Sequence, residues 1–354
     1  PYQQTNANIV MHAFQGVTQV LNEYDANLKT LMEQTKNDLS VAVEDINTKL
    51  DQLSELNSSI AHEIFSNNDY DGVNYGPNDL LDQRNVILDD LSRYGDVQVT
   101  DLEDGKIQVK INGKVVVDAS GASYTNDKLN IGSDGVTLTW NSNNQNANLG
   151  AGAIRGFTDM LTGADPINAG IPYYQNKMDN FAQTLADVFN NKIHADDPDF
   201  PDKYKFLLQG GVDGKVTAGN ISISDQWADD VSYIIRKQNP DGELDNQDIL
   251  DMKAAFEQDF NFGGEYTGTF SEFITSVTNT LGSGIKTNSA RMSASLAIAE
   301  SADSERMGVS GVSLNEEGIS MMTYNKAYQA LGRLMTTMDE QLDMIINKMG
   351  IVGR

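Results

Sequence analysis

Residues Gly311 to Arg354 read GVSLNEEGISMMTYNKAYQALGRLMTTMDEQLDMIINKMGIVGR, and the spacing of their apolar side chains sets how the rest of the chain is read. Those side chains fall at Leu314, Met321, Tyr324, Tyr328, Leu331, Met335, Met338, Leu342, Ile345 and Met349, in alternating steps of three and four with one gap at Gly318. Such spacing predicts the seam of a coiled-coil-like helix. Asn315 is the expected N-cap, and Glu316 and Glu317 fall in the first turn, where the helix dipole favours negative charge. Lys348 followed by Gly350 makes a fitting stop. The stretch carries four basic and five acidic residues in a chain of net charge −26, and it holds six of the thirteen methionines. Methionine adapts to irregular apolar surfaces. A nearly neutral, Met-rich stripe beyond a glycine-containing linker is therefore expected to pack on a neighbouring subunit or in a partner's groove.

A second long periodic element runs from about Thr18 to Phe65. Leu21, Tyr24, Leu28, Leu31, Thr35, Leu39, Ala42, Ile46, Leu50, Leu53, Leu56, Ile60 and Ile64 keep the same spacing, without Pro or Gly in between. At 1.5 Å per residue this predicts a helix about 70 Å long. Its stripe is expected to pack within the chain, with the polar faces in water. A turn-rich break, Ser66 to Leu80, leads to a short helix from Asn78 that ends at Gly95.

From Asp96 the period changes to two. VQVTDLEDGKIQVKINGKVVVDASG alternates around turns at Glu103 to Lys106 and Asn112 to Lys114, the second bearing the Asn-Gly signal of a tight hairpin. Gly135 to Trp140 is a further strand. Helical patterns return at Ala151 to Met160 and Pro172 to Asn191. Then KFLLQGG and KVTAGNISIS suggest a short β pair, followed by helical pieces at Gln226 to Lys237, Asn246 to Phe260, Thr269 to Thr280 and Lys286 to Met307. The expected organisation is a helical rod over 1–95, an antiparallel β-domain over 96–148 and a mixed helical region over 149–280. A returning helix and linker over 281–313 and a C-terminal assembly helix over 314–354 complete it. The fold class is α+β: an elongated, coiled-coil-like helical bundle built from both chain ends, with the β-domain inserted between them.

Twenty-five basic against 51 acidic residues and a pI near 4.3 argue against nucleic acid or an anionic membrane as partner, since counterion release needs clustered Lys and Arg. No apolar run reaches membrane-span length, and the first twenty residues lack the pattern of a signal peptide. The start at Pro1 suggests a fragment. Without Cys there are no disulfides, thiolate metal sites or Cys nucleophiles. Such an acidic chain, rich in Asn, Thr, Ser and Gly, fits an extracellular product.

A search for catalytic or metal-binding patterns finds none. His12, His62 and His194 stand apart, and His62-Glu63 lacks the second His of a zinc-protease helix. Gly210 to Val216 lacks the phosphate-loop pattern and reads as a β-turn. Asn239 to Asp245 places oxygens at alternate positions but has Gly at the fourth place and Leu250 where a calcium loop needs Glu. It reads as a solvated turn, as does the acidic cluster at 194–199. No G-x-S-x-G elbow occurs, and 51 acidic residues single out no carboxylate pair. No cofactor, metal or catalytic residue is assigned.

Three segments carry a family resemblance. NDLLDQRNVILDDLSRYGDVQV (Asn78 to Val99), GAIRGFTDMLTGADPINAGIPYYQNKMDNFAQTLADVFN (Gly152 to Asn190) and SGVSLNEEGISMMTYNKAYQALGRLMTTMDEQLDMIINKM (Ser310 to Met349) resemble, in order, the flagellar hook-associated protein FlgK family. The last is shared in style with flagellar axial proteins generally. The resemblance implies a structural protein at the junction between flagellar hook and filament. The implied partners are further copies in a ring-like junction, the hook protein and a second hook-associated protein. It also implies export through the flagellar type III apparatus, with a cytoplasmic chaperone on the C-terminal helix, and an extracellular location. In the family that helix pairs with an N-terminal helix, which has no counterpart before Pro1, and residues 226–262 match no family segment. A different class also accommodates the residues: a secreted, acidic, adhesin-like coiled coil whose β-domain binds carbohydrate or calcium. A hydrolase is a third.

Overall fold

Helix α1, Tyr2–Asn67, is the spine on which the first half of the molecule is assembled. The computed structural model describes residues 2–67, 77–119, 125–192, 206–211, 214–235 and 247–343, in two units, Pro1–Gly284 and Ile285–Arg354. Along α1 the buried positions are Ala7, Met11, Phe14, Thr18 and Leu21, then Thr35, Leu39, Ala42, Val43, Ile46, Leu50, Leu53, Asn57 and Ile60. From Leu21 onward this follows the predicted three-and-four stripe, packed inside its own unit, except that Asn57 is buried where Leu56 is expected and Leu56 is half-buried. The helix begins well before Thr18 because Gly16 does not stop it. A helix-interior glycine costs only about 1 kcal/mol, and burial of Met11 and Phe14 outweighs that. Tyr24 and Leu31 turn outward, at 53% and 37% exposure, while Asp25, Leu28 and Met32 take the inner side as half-buried residues.

The thinning in the middle of α1 separates two cores. One joins Met11, Phe14 and Leu21 to Phe181, Leu185, Phe189, Trp227, Phe262 and Phe273; the other joins Leu39 to Leu53 to the strands and to Leu91, Ile154 and Leu161. In the second core, helix α2 (Asn78–Ser92) precedes a four-stranded antiparallel sheet in the order β1 (Val97–Asp101), β2 (Ile107–Ile111), β3 (Lys114–Asp118), β4 (Thr125–Asn126). A second ribbon pairs β5 (Leu129–Ile131) with β6 (Leu138–Trp140). The β2–β3 turn has Asn112 at φ 50° and Gly113 at φ 80°, the left-handed pair that a tight hairpin needs. Ile107, Val109 and Ile111 alternate inward onto α1.

Amides on α1 hold the strands in place. Asn57, fully buried, donates from Nδ2 to the Ile107 carbonyl at 2.8 Å and accepts from the Ile107 N–H at 3.1 Å. Asn47 does the same for Leu129, at 2.9 Å in both directions. Each side chain substitutes for a strand neighbour and satisfies backbone groups that would otherwise be buried unpaired. Arg84, from the DLLDQR segment, is buried and donates from Nη1 to the Gly105 carbonyl at 2.6 Å, which fixes the β1–β2 turn. Burial pushes its guanidinium below the ordinary value, against the opposing charge of Asp101.

Helix α3 (Gly152–Thr162) starts where the chain crosses its own backbone. Gly152 has φ +75°, and a Cβ there would lie 2.3 Å from the Tyr94 carbonyl carbon, so this position takes glycine for both reasons. A tight turn, closed by Asp165 accepting from the Ile167 and Asn168 N–H groups at 2.8 and 2.9 Å, leads to α4 (Ile171–Asn190).

The first core is completed by short pieces. The predicted β pair is present as β7 (Leu208–Gln209) and β8 (Ser222–Ile223). Asn190 secures it, accepting from the Leu207 and Leu208 N–H groups and donating to the Leu208 carbonyl. The unmatched 226–262 stretch supplies α5 (Asp225–Asp229), a 3-10 turn (Val231–Ile235) and α6 (Gln247–Ala255), and it buries Trp227, Tyr233, Ile234, Met252 and Phe262. A hairpin not anticipated from the sequence, β9 (Phe260–Phe262) with β10 (Tyr266–Gly268), turns on Gly263 and Gly264 at φ 66° and 82°. It stacks Phe262 on Phe273 with ring centres 4.3 Å apart.

Helix α7 (Phe270–Ser310) opens with a capping box. Thr269 Oγ1 accepts from the Glu272 N–H at 3.2 Å and Glu272 Oε2 accepts from the Thr269 N–H at 2.9 Å. Phe270 and Phe273 are buried. The two helices expected at Thr269 to Thr280 and Lys286 to Met307 are one, because Gly282 and Gly284 weaken the helix without ending it. In the second unit α7 ends at Ser310, and α8 spans Leu314–Asp343. Its cap is Ser313 rather than Asn315: the Glu317 N–H reaches the Ser313 carbonyl at 2.9 Å and the Glu316 N–H approaches Ser313 Oγ at 3.4 Å. Long helices at both ends with small antiparallel sheets between them establish the α+β class.

Candidate assembly surface

A continuous α8 places the predicted stripe on one face, because residues three and four apart lie over one another. Leu314, Met321, Tyr324, Tyr328, Leu331, Met335, Met338 and Leu342 share that face. Ile345 and Met349 lie outside the described residues. At 1.5 Å per residue the eight residues extend over about 40 Å. Their exposure runs from 52% at Leu342 to 89% at Leu314, and no residue of α8 is buried. Monomeric proteins rarely leave contiguous apolar patches of such extent uncovered, and such patches mark interaction sites. Gly318, the gap in the stripe, meets nothing within 4 Å, so it presents bare backbone beside Met321.

The flanks of the stripe are thinly charged. Lys326 and Arg333 lie mid-helix, Glu316 and Glu317 stand in the first turn, and Asp339, Glu340 and Asp343 follow toward the end. Helices in proteins gain most of their stability from packing an amphipathic face. The exposed remainder of α7 adds Ile285, Met292, Leu296, Ile298 and Met307, without a seam as regular as that of α8.

The residues weighed for chemistry do not converge. His12 is on the surface of α1, with Nδ1 3.0 Å from Gln15 Oε1, and His62 is exposed on the same helix. His194, with the acidic cluster at 194–199, and the 239–245 loop lie outside the described residues. At Gly210 to Val216, of which 212–213 are outside the description, the Gly214 N–H reaches the Gly211 carbonyl at 2.9 Å, as a turn requires. Among the described residues no three His, Asp or Glu are grouped to hold a metal. No described helix is long and apolar enough to cross a membrane.

The carboxylates with displaced acidities serve the fold. Asp134 accepts from Thr137 Oγ1 and from the Thr137 and Val136 N–H groups, and these hydrogen bonds hold it at about 2. The hydrogen bond from Lys128, 2.7 Å away, lowers Asp51 despite partial burial. Burial raises Asp127, but the Ser142 and Lys114 hydrogen bonds outweigh it and the net shift is downward.

Comparison with known proteins identifies the family. The family described as the flagellar hook-associated protein FlgK helical domain matches residues 1–202. The family described as the C-terminal region of the flagellar basal body rod FlgEFG proteins matches residues 304–348, which include α8 and its stripe. Flagellar hook-associated protein 1 of Bacillus subtilis (strain 168) is 26% identical over 388 residues, covering 99% of this chain and 73% of that protein. The first match takes in α1 to α4, both cores' share of α1 and the Arg84 anchor, and it extends over more than half the sequence. The chain belongs to the flagellar hook-associated protein FlgK family, a family of structural flagellar proteins.

Proposed function

We propose that this chain is an axial subunit of the junction between flagellar hook and filament, outside the cell, held to its neighbours by helix packing through the α8 stripe. The observation that carries the reading is the uncovered stripe itself: eight large apolar residues on one face of a helix, in the part of the chain that matches flagellar rod proteins. A subunit of a multi-copy assembly keeps such a face for its neighbours. The neighbours proposed are other copies in a ring-like junction, the hook protein and a second hook-associated protein. Before export, a cytoplasmic chaperone covers the same face, since an exposed Met- and Leu-rich helix suits a groove.

Co-purification with a flagellar export chaperone tests this reading, comparing the full chain with one lacking residues 315–354. Capture of the full chain and loss of the shortened one is expected. Equal capture of both would sink the role given to α8.

A further inference from the structure

We propose that Met321, Met322, Met335 and Met338 of α8 form an oxidation site for hydrogen peroxide, and that their sulfoxides prevent the stripe from packing. The proposal rests on the stripe being a subunit contact. All four side chains are between 57% and 72% exposed; Met292 and Met307 on α7 are as open but lie off the stripe, whereas Met11, Met178 and Met252 are 7%, 7% and 4% exposed inside the first core. The chain has no Cys, so no thiolate competes for peroxide, and the accessible thioethers are its softest nucleophiles. In each event the thioether sulfur attacks the peroxide: the O–O bond breaks, an S–O bond forms and water leaves. The sulfur is oxidised by two electrons as the peroxide is reduced.

The consequence follows from where the sulfur sits. Met321, Met335 and Met338 share the stripe with Tyr324, Tyr328, Leu331 and Leu342, and Met322 borders it. A sulfoxide is polar, chiral and a strong acceptor. Packed against leucine and tyrosine it would lose its water hydrogen bonds without replacement. Oxidation therefore acts only on subunits whose α8 is uncovered, because packing removes the sulfurs from solvent. A subunit damaged before assembly is turned away, and one already assembled is protected. Thiol-dependent methionine sulfoxide reductase reverses the change.

The test uses the purified full chain, treated with dilute hydrogen peroxide and followed by peptide mass spectrometry and sedimentation. The four α8 methionines are expected to gain one oxygen roughly tenfold faster than Met11, Met178 and Met252, whose access requires opening of the core. Self-association is expected to weaken by about tenfold or more and to return after reductase treatment. A variant with Leu at positions 321, 322, 335 and 338 keeps the volume and helix propensity of the stripe, and it is expected to associate with or without peroxide. Core methionines that oxidise as fast as those of α8 would overturn the proposal. So would unchanged association of chain shown to be oxidised at all four, or an equal loss in the Leu variant. The first and third of these results leave the stripe reading standing, whereas the second counts against both. Failure of the untreated chain and the Leu variant to associate would instead remove the stripe reading, and this proposal with it.

Discussion

Leu331 and Leu53 are both leucines on long helices, at stripe positions of similar spacing, yet truncating each to alanine should have opposite signatures. Leu53 is fully buried in the second core, so Leu53→Ala removes transferred apolar surface and leaves a cavity. The expected loss of folding stability is about 2–5 kcal/mol. Leu331 is 59% exposed and has little burial to lose in the free subunit, so Leu331→Ala should leave unfolding unchanged within about 0.5 kcal/mol. Complete burial of a leucine is worth about 2 kcal/mol, and its present exposure leaves roughly 1 kcal/mol of that to be gained on association. Self-association should then weaken by about fivefold. Adding Leu342→Ala, at 52% exposure, doubles the loss to about 2 kcal/mol and roughly thirtyfold, provided the two sites act independently. Denaturant midpoints of dilute protein and sedimentation across a concentration series separate the two quantities. A Leu331→Ala variant that unfolds as easily as Leu53→Ala, yet associates normally, would refute the reasoning, because α8 would then be packed in its own subunit.

Two further outcomes test the fold. Asn57→Leu should destabilise by about 2–3 kcal/mol in denaturant unfolding, since the Ile107 N–H and carbonyl lose their partner inside the core at a penalty only partly offset by added apolar burial; a neutral result would show that the amide pairing does not hold β2. Acid should weaken the β region in a defined window. Asp51, Asp127 and Asp134 all have folded values below the usual carboxylate value of 3.8, with Asp134 at about 2, so their contribution is complete above about pH 5 and is lost as pH falls from about 4 toward 2. Asp134→Asn should flatten part of that decline without changing its direction, and unfolding midpoints taken from pH 7 downward check this.

Periodicity, with one turn signal, is enough to specify most of the α1 and α8 stripes, the Asn-Gly hairpin, the β7–β8 pair and the α+β class. Each rests on local physics, the repeat of a helix face or a strand face, or the backbone that one turn requires. The segments at Asn78, Gly152 and Ser310 carry the family resemblance without any packing information. Other features depended on contacts between residues far apart in sequence. Asn47 and Asn57 look like ordinary polar interruptions of α1 until β5 and β2 lie against them, and Arg84 looks like a surface cation until the Gly105 carbonyl covers it. The start of α1 lies well before the expected Thr18, because the burial of Met11 and Phe14 outweighs the cost of Gly16 in the helix. The stripe on α8 shows the division most clearly. Its spacing is the same as that of α1, so the pattern could say that both faces seek apolar cover. Only the tertiary structure distinguishes them: the α1 stripe is buried inside its own unit, while no described residue of α8 is buried.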